Sequence, residues 1–237
     1  MTVHVHFVRH GEVASHRGDV PVTPSGLEYA KEQGKLMGEK LLEGEHVYFY
    51  HTITKRTKQT AEMIRAGIME TVQARGFRHI QLYEPCVEDA IRNPDIYLGG
   101  LRVELVSSLD ALLEQTTGKI KYEKDYLKTI PFWPQFIEAR DRIGYWLHLQ
   151  DPPGENAHAV ARRVMTFATS LTLIPGDQPR RYIFATHSPV LRAFLINYLL
   201  DDDPGEPEYC ESIDLTFRDK GKCIIKFRNL QKKIKIF

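Results

Sequence analysis

Two kinds of pattern alternate along the chain. Short runs of β-branched and aromatic residues predict strands, and longer segments with apolar residues every three or four positions predict amphipathic helices. The predicted strands are 2–8, 46–50, 78–83, 181–186, 212–218 and 222–228. The predicted helices are 24–42, 55–73, 100–115, 135–148, 157–172 and 189–200, with a loop at 149–155.

The order of these elements predicts the fold class. Strands that alternate with helices indicate an α/β three-layer sandwich, in which helices flank a mostly parallel central sheet. The last two predicted strands are joined by residues 219–221 (DKG), a short turn that predicts a hairpin and an antiparallel edge. Since no linker or repeat interrupts the pattern, residues 1–237 are interpreted as a single domain.

Composition narrows the classes of function. The 237 residues are 42% hydrophobic and carry 32 Lys+Arg against 31 Asp+Glu, which excludes a disordered chain and argues against a general nucleic-acid binder. No apolar run has the length of a membrane span, and the N-terminus has no apolar signal region. The three cysteines share no metal or redox spacing. We therefore expect a cytoplasmic protein that contacts neither nucleic acid nor membrane.

Two histidines occupy matching places in the pattern. His10 follows the first predicted strand, and His187 follows the strand at 181–186. Ligands of open α/β sheets bind outside the carboxyl ends of the strands, so these side chains converge if their strands are neighbours. The alternative at this point is two unrelated loop histidines.

Two arginines accompany the histidines. Arg9 precedes His10, and Arg56 stands at the start of the second predicted helix. A guanidinium stays charged at any working pH and binds two phosphate oxygens at once. Two arginines and two histidines around one point predict a pocket for a dianion, and Gly11 would let the backbone approach an oxyanion closely.

Five ordered blocks carry a resemblance to a known family. Residues 9–12 (RHGE) resemble the Arg-His-Gly signature of the histidine phosphatase superfamily, in its phosphoglycerate-mutase-like branch. Residues 22–26 (VTPSG) and 55–61 (KRTKQTA) resemble the openings of the family's first two helices. Residues 153–156 (PGEN) resemble the opening of its penultimate helix, and 186–188 (THS) its second histidine motif.

The resemblance implies roles for particular residues. His10 would be the nucleophile that forms a phosphohistidine, and His187 would assist catalysis. Arg9, Arg56, His187 and Ser188 would hold the phosphoryl oxygens. The family uses no metal, so neither a metal nor another cofactor is expected. The implied reaction is hydrolysis of a phosphomonoester, with a small phosphorylated metabolite as substrate.

The family also places an acid, usually a glutamate, after its third strand. Glu88 is our first choice, and Asp89 and Asp95 in the same region are the alternatives. The acid would protonate the leaving oxygen and later activate water.

The chain departs from the family pattern at three places. His16 stands where the family commonly has asparagine, Ser188 replaces a glycine, and the loop 92–100 (RNPDIYLGG) is unlike the family's common sequence. These departures bear on the preference for substrate, which we expect His16, Thr23 and Asp89 to contact.

Three rival interpretations remain. A phosphoglycerate mutase would share the fold but transfer the phosphoryl group between hydroxyls. His4 and His6 lie at alternate strand positions and resemble the first ligand pair of metal-dependent hydrolases. A non-catalytic protein could use the same pocket to bind a phosphorylated ligand.

The lysine-rich end, residues 232–235, is interpreted as a solvated tail.

Overall fold

The computed structural model describes residues 2–219 and 221–236, and within them it contains ten strands and eight α-helices. The strands are β1 (Val3–Arg9), β2 (His46–His51), β3 (Gln81–Leu82), β4 (Cys86–Val87), β5 (Ile96–Leu98), β6 (Leu101–Val103), β7 (Arg180–Thr186), β8 (Ser212–Asp219), β9 (Lys222–Phe227) and β10 (Leu230–Lys235). The helices are α1 (Pro24–Gly38), α2 (Lys55–Ala74), α3 (Leu109–Thr116), α4 (Lys124–Lys128), α5 (Phe132–Glu138), α6 (Arg142–Leu147), α7 (Ala157–Ser170) and α8 (Ser188–Tyr198).

The central sheet has the strand order β10-β9-β8-β1-β7-β2-β3, with β4 also paired to β2. Strand β7 lies between β1 and β2 and is parallel to both, and β2 is parallel to β3 and β4. Strands β8, β9 and β10 extend the sheet beyond β1 by antiparallel pairing. The predicted α/β class, with its antiparallel edge, is confirmed.

Alternate residues of β1 enter two hydrophobic cores, because successive strand side chains point to opposite faces of the sheet. Phe7 belongs to the core that includes Val160 of α7 and Phe194 of α8. Val8 belongs to the core that includes Ile64 of α2. Helices therefore cover both faces of the sheet and form the predicted three layers.

Three regions differ from the prediction. Only the second half of the predicted helix 100–115 is helical, because β5 and β6 form a hairpin around Gly99 and Gly100, whose positive φ angles (54° and 79°) suit a tight turn. The predicted helix 135–148 is two helices, since Asp141 begins α6 by accepting a hydrogen bond from the Gly144 N–H at 2.9 Å. The lysine-rich end is not a tail but the edge strand β10. The predicted turn residue Lys220 lies outside the described residues.

None of the helices in the described parts of the chain combines the length and the apolar character needed to cross a membrane.

Two glycines allow α1 and α2 to pack in close contact. A Cβ atom on Gly67 would lie 2.0 Å from the carbonyl oxygen of Lys31, and one on Gly34 would lie 2.2 Å from that of Ile64. Both obstacles are backbone atoms, so neither can move without shifting a helix. The contact matters for the site because α2 carries Arg56 at its start.

We predict that Gly67→Ala lowers the free energy of unfolding by about 3 kcal/mol, since the added methyl group forces the helices apart. Gln73→Ala, at an exposed position of the same helix, is the control and should change stability by less than about 0.5 kcal/mol. Urea unfolding of both variants measures the difference. Equal stability of the two variants would contradict this close helix contact.

Candidate active site

The pairing of β1 with β7 brings the two predicted histidines together. Arg9 is in register with Thr186, and the next residue, His10, donates its backbone N–H to the Thr186 carbonyl at 2.9 Å. The imidazole rings of His10 and His187 lie 5.5 Å apart between centroids. Both side chains are buried.

The hydrogen bonds of His10 decide which of its nitrogens is free. Its Nδ1 lies 2.8 Å from the Gly11 carbonyl oxygen. A carbonyl can only accept, so Nδ1 carries the proton and Nε2 presents a lone pair. Burial is the main cause that lowers the pKa of His10 to about 3, with smaller contributions from Arg56 and Arg9, while the hydrogen bond to Gly11 acts in the opposite direction. The imidazole is therefore neutral and nucleophilic at neutral pH.

His187 is held by the turn between β2 and α2. Its Nε2 lies 3.0 Å from the Thr52 hydroxyl oxygen, which lies 2.9 Å from that of Thr57. Burial lowers the pKa of His187 well below its usual value, with smaller contributions from Arg56 and His10. The second imidazole is thus also neutral and has a fixed orientation.

Arg9 and Arg56 are both largely buried, with 8% and 9% of their surfaces exposed. Glu206 lies 3.1 Å from Nη2 of Arg9, and the ring of Tyr209 lies under the guanidinium at 4.3 Å. Burial lowers the pKa of Arg56, and the carboxylates of Glu104 and Asp19 act against that effect. The site therefore concentrates positive charge beside two neutral histidines.

Gly11 is packed against residues 22–26 and hydrogen-bonded to α2. Its N–H donates to the Thr60 hydroxyl at 2.8 Å, and a Cβ atom at this position would lie 2.9 Å from Cγ1 of Val22. Glycine is needed here because residues 22–26 pack against it, and the expected approach of the backbone to an oxyanion stays a prediction.

A cavity of about 930 Å³ opens on these side chains. Four buried side-chain atoms of residues that line it make no hydrogen bond within the described part of the chain: Arg9 Nε, Arg56 Nε, Ser188 Oγ and Asn93 Oδ1. Buried polar atoms normally have partners. Ser188 also begins α8, whose N-terminal end favours negative charge. The arrangement can hold a dianion by several hydrogen bonds.

The three candidate acids do not line this cavity. Glu88 accepts the Ala90 N–H at 2.8 Å, and Asp89 lies 3.2 Å from Nη1 of Arg92. Asp95 binds Arg92 and lies 3.3 Å from Nη1 of Arg102, and its hydrogen bonds with Arg92 lower its pKa. Each carboxylate is engaged elsewhere in the loop.

The other predicted substrate contacts divide between two places. His16 lines the cavity, and its ring lies 6.1 Å from that of His10. Thr23 does not line it, because its hydroxyl accepts the Gly26 N–H at the start of α1. Asn93 and Glu104, which the sequence pattern did not single out, also line the cavity. The signal for Asn93 was its place in the loop 92–100, which departs from the family pattern.

His4 and His6 lie on the sheet rather than at its end. His6 Nδ1 is 2.7 Å from Asp214 Oδ1, and its Nε2 is 2.8 Å from Nη1 of Arg181. His4 Nδ1 is 3.3 Å from the Thr216 hydroxyl. In residues 2–219 and 221–236, no group of three or more His, Cys, Asp or Glu side chains is arranged to hold a metal ion.

Comparison with known proteins gives a family match for part of the chain. Residues 5–83, about the first third of the chain, match the family model of the histidine phosphatase superfamily, branch 1. The first third of the chain is thus similar to this superfamily. The resemblance carried by residues 9–12 and 55–61 is thereby confirmed. Curated protein sequences give no match.

Solved structures share this fold at low sequence identity. A phosphoglycerate mutase from Bacillus anthracis is 15% identical with a TM-score of 0.57, over 96% of this chain and 92% of that chain. A mycobacterial glucosyl-3-phosphoglycerate phosphatase complexed with VO3 is 12% identical with a TM-score of 0.53, over 96% and 98%. A Mycobacterium tuberculosis open reading frame product is 18% identical with a TM-score of 0.51, over 96% of both chains. These similarities establish the fold.

We predict that neither His10 nor His187 takes up a proton between pH 8 and pH 5, because burial beside two arginines disfavours the imidazolium. Nitrogen-15 NMR of labelled histidine should show His10 with its proton on Nδ1 throughout this range. The comparison of His10→Gln and His187→Gln spectra with the wild type assigns the two signals. A midpoint near 6.5 for His10 would contradict the geometry of the buried site.

Proposed function

We propose that this protein is a phosphatase that hydrolyses a phosphomonoester through a phosphohistidine on His10. The observation that carries the proposal is the set of buried, unpartnered donors, Arg9 Nε, Arg56 Nε and Ser188 Oγ, beside an imidazole whose Nε2 is free. A neutral ligand would not offset the cost of burying two guanidinium groups, whereas a phosphoryl dianion would.

The donors act on the group that is transferred. In phosphoryl transfer, charge is spread over the three equatorial oxygens while the attacking and leaving atoms stay in line. Arg9, Arg56 and Ser188 would hold those oxygens, together with His187 at the start of α8. Because the donors are fixed by the fold before the substrate arrives, they stabilise the transition state without rearrangement.

His10 would then divide the reaction into two steps. Its Nε2 attacks phosphorus and the alcohol leaves; water attacks the phosphohistidine and releases phosphate. Exposed residues of the cavity wall, among them Arg17, Ile53 and Glu104, leave the intermediate accessible to water. This access supports hydrolysis over transfer to a second hydroxyl, which requires that water be excluded.

The substrate class follows from the site. A cavity of about 930 Å³ lies near the upper end of the range of about 300–1,000 Å³ for small-molecule sites, so we propose a small phosphorylated metabolite as substrate.

The cysteines bear on the compartment of the protein. Cys86, Cys210 and Cys223 are free thiols, which supports our proposal that the protein works in the reducing cytoplasm.

We predict that His10→Ala reduces turnover of 4-nitrophenyl phosphate to background, because no covalent intermediate can form. His158→Ala, which removes an exposed histidine outside the cavity, is the control and should retain activity. After the reaction is quenched, the phosphorylated residue can be identified by its stability to acid and to base. The wild type should yield phosphohistidine, which is stable to base and labile to acid. Full activity of His10→Ala would remove the proposed mechanism.

We also predict that turnover continues after treatment with EDTA, since the guanidinium groups supply the positive charge that a metal ion would otherwise provide. Activity should match that of untreated protein within error. A complete loss that Zn²⁺ or Mg²⁺ restores would support the metal-dependent alternative.

A further inference from the structure

We propose that His16 is the proton donor to the leaving oxygen and the base that later activates water, an assignment that rests on the phosphatase function proposed above. Glu88, Asp89 and Asp95 do not line the cavity, and each makes a hydrogen bond or an ion pair within its own loop. The titratable groups that line the cavity itself are therefore the candidates for this role.

Most carboxylates of the cavity wall already have partners. Asp19 accepts the Lys55 N–H at 2.8 Å, and Glu114 pairs with Arg17. Asp141 binds the buried Arg192 and also holds the start of α6.

Glu206 and Glu104 are set against the phosphate-binding arginines. Glu206 lies 3.1 Å from Arg9 Nη2 and 3.3 Å from Arg192 Nη1. Glu104 raises the pKa of Arg56 against the effect of burial. Within the described residues, neither carboxylate makes a hydrogen bond or an ion pair with His10.

His16 is close to the nucleophile on a loop that is fixed on two sides. Its ring centroid lies 6.1 Å from that of His10, and its ring nitrogens make no hydrogen bond within the described residues. The loop is tied to α2 by the Lys55–Asp19 contact and by the Arg56 Nη1 to Gly18 carbonyl hydrogen bond of 3.4 Å, and to α3 by Arg17 and Glu114. The loop thus places the exposed imidazole at the edge of the anion site with both nitrogens available.

The charges around His16 suit proton transfer. The charged and titratable groups that face it are Arg9, His10, Arg56, His187 and Glu206. Partial burial lowers the pKa of His16, and Arg9 and Arg56 lower it further, while Glu206 raises it. A bound phosphoryl dianion offsets the two arginines, so substrate binding favours the protonated ring. An imidazole changes charge near neutral pH and can therefore both give and take the proton.

The two steps balance without another reactant. The lone pair of His10 Nε2 forms the N–P bond while the P–O bond of the ester breaks, and the leaving oxygen takes its electron pair and the proton of His16. Water then attacks phosphorus as neutral His16 takes a proton from it, and the pair of the N–P bond returns to Nε2. One ester and one water give one alcohol and one phosphate, with both histidines restored.

The test compares His16→Gln with Glu104→Gln on two substrates. Glycerol 2-phosphate has a poor leaving group that needs protonation, and 4-nitrophenyl phosphate has a good one that needs little. We expect His16→Gln to lower kcat/KM for glycerol 2-phosphate by about 10²- to 10⁴-fold and to affect 4-nitrophenyl phosphate far less. Glu104→Gln should show no such selectivity. Equal losses of His16→Gln on both substrates, or a selective loss in Glu104→Gln instead, would overturn the assignment.

The pH profile separates proton transfer from a structural effect. For glycerol 2-phosphate, kcat/KM of the wild type should fall as pH rises through the lowered pKa of His16, and this limb should be absent in His16→Gln. A limb caused by ionisation of the substrate would persist in the variant. An unchanged limb overturns the assignment of His16 but not the role of His10, which formation of phosphohistidine tests separately. Wild-type protein that forms no phosphohistidine would overturn both.

Discussion

The parallel hydrogen bonding of β7 to its two neighbours is the constraint on which the site depends. Strands β1, β7 and β2 run in the same direction and end at the same edge of the sheet. That edge receives His10 from β1 and His187 from β7, and the turn after β2 supplies Thr52. A shift of one residue in the β1–β7 register would turn the first histidine to the opposite face of the sheet.

This arrangement buries charged groups, and removing them from water costs free energy. Arg9 and Arg56 are removed from water beside histidines that burial keeps neutral, so two guanidinium charges lie in a poorly solvated place. Glu206 compensates Arg9 and also contacts Arg192, which Asp203 and Asp141 hold from other loops. His10 can therefore stay uncharged while the surrounding groups attract an anion.

The sheet and the strand-end residues could be predicted from the sequence because their signals are local. Strand β1 ends where its apolar run meets Arg9, and α2 begins beside Arg56, so each position follows from a few neighbouring residues. The superfamily match over residues 5–83 covers this local part. The pocket roles of the individual residues remain proposals that the geometry supports.

The region from 84 to 105 could not be placed in the same way, because long-range contacts fix it. Arg163 donates to the carbonyl of Ala90 at 2.7 Å, and the Thr186 hydroxyl donates to that of Ile91 at 2.6 Å. These contacts bring Asn93 to the cavity wall and leave Glu88 outside it. Spacing along the sequence contains no information about partners 70 or more residues away.

A crystal structure of the protein with orthovanadate tests the central claim most directly, because vanadate adopts the trigonal-bipyramidal geometry of phosphoryl transfer. The account predicts vanadium bonded to Nε2 of His10, with its equatorial oxygens within hydrogen-bond distance of Arg9, Arg56 and Ser188. Vanadate bound elsewhere, or bound in this cavity without contact to His10, would contradict it.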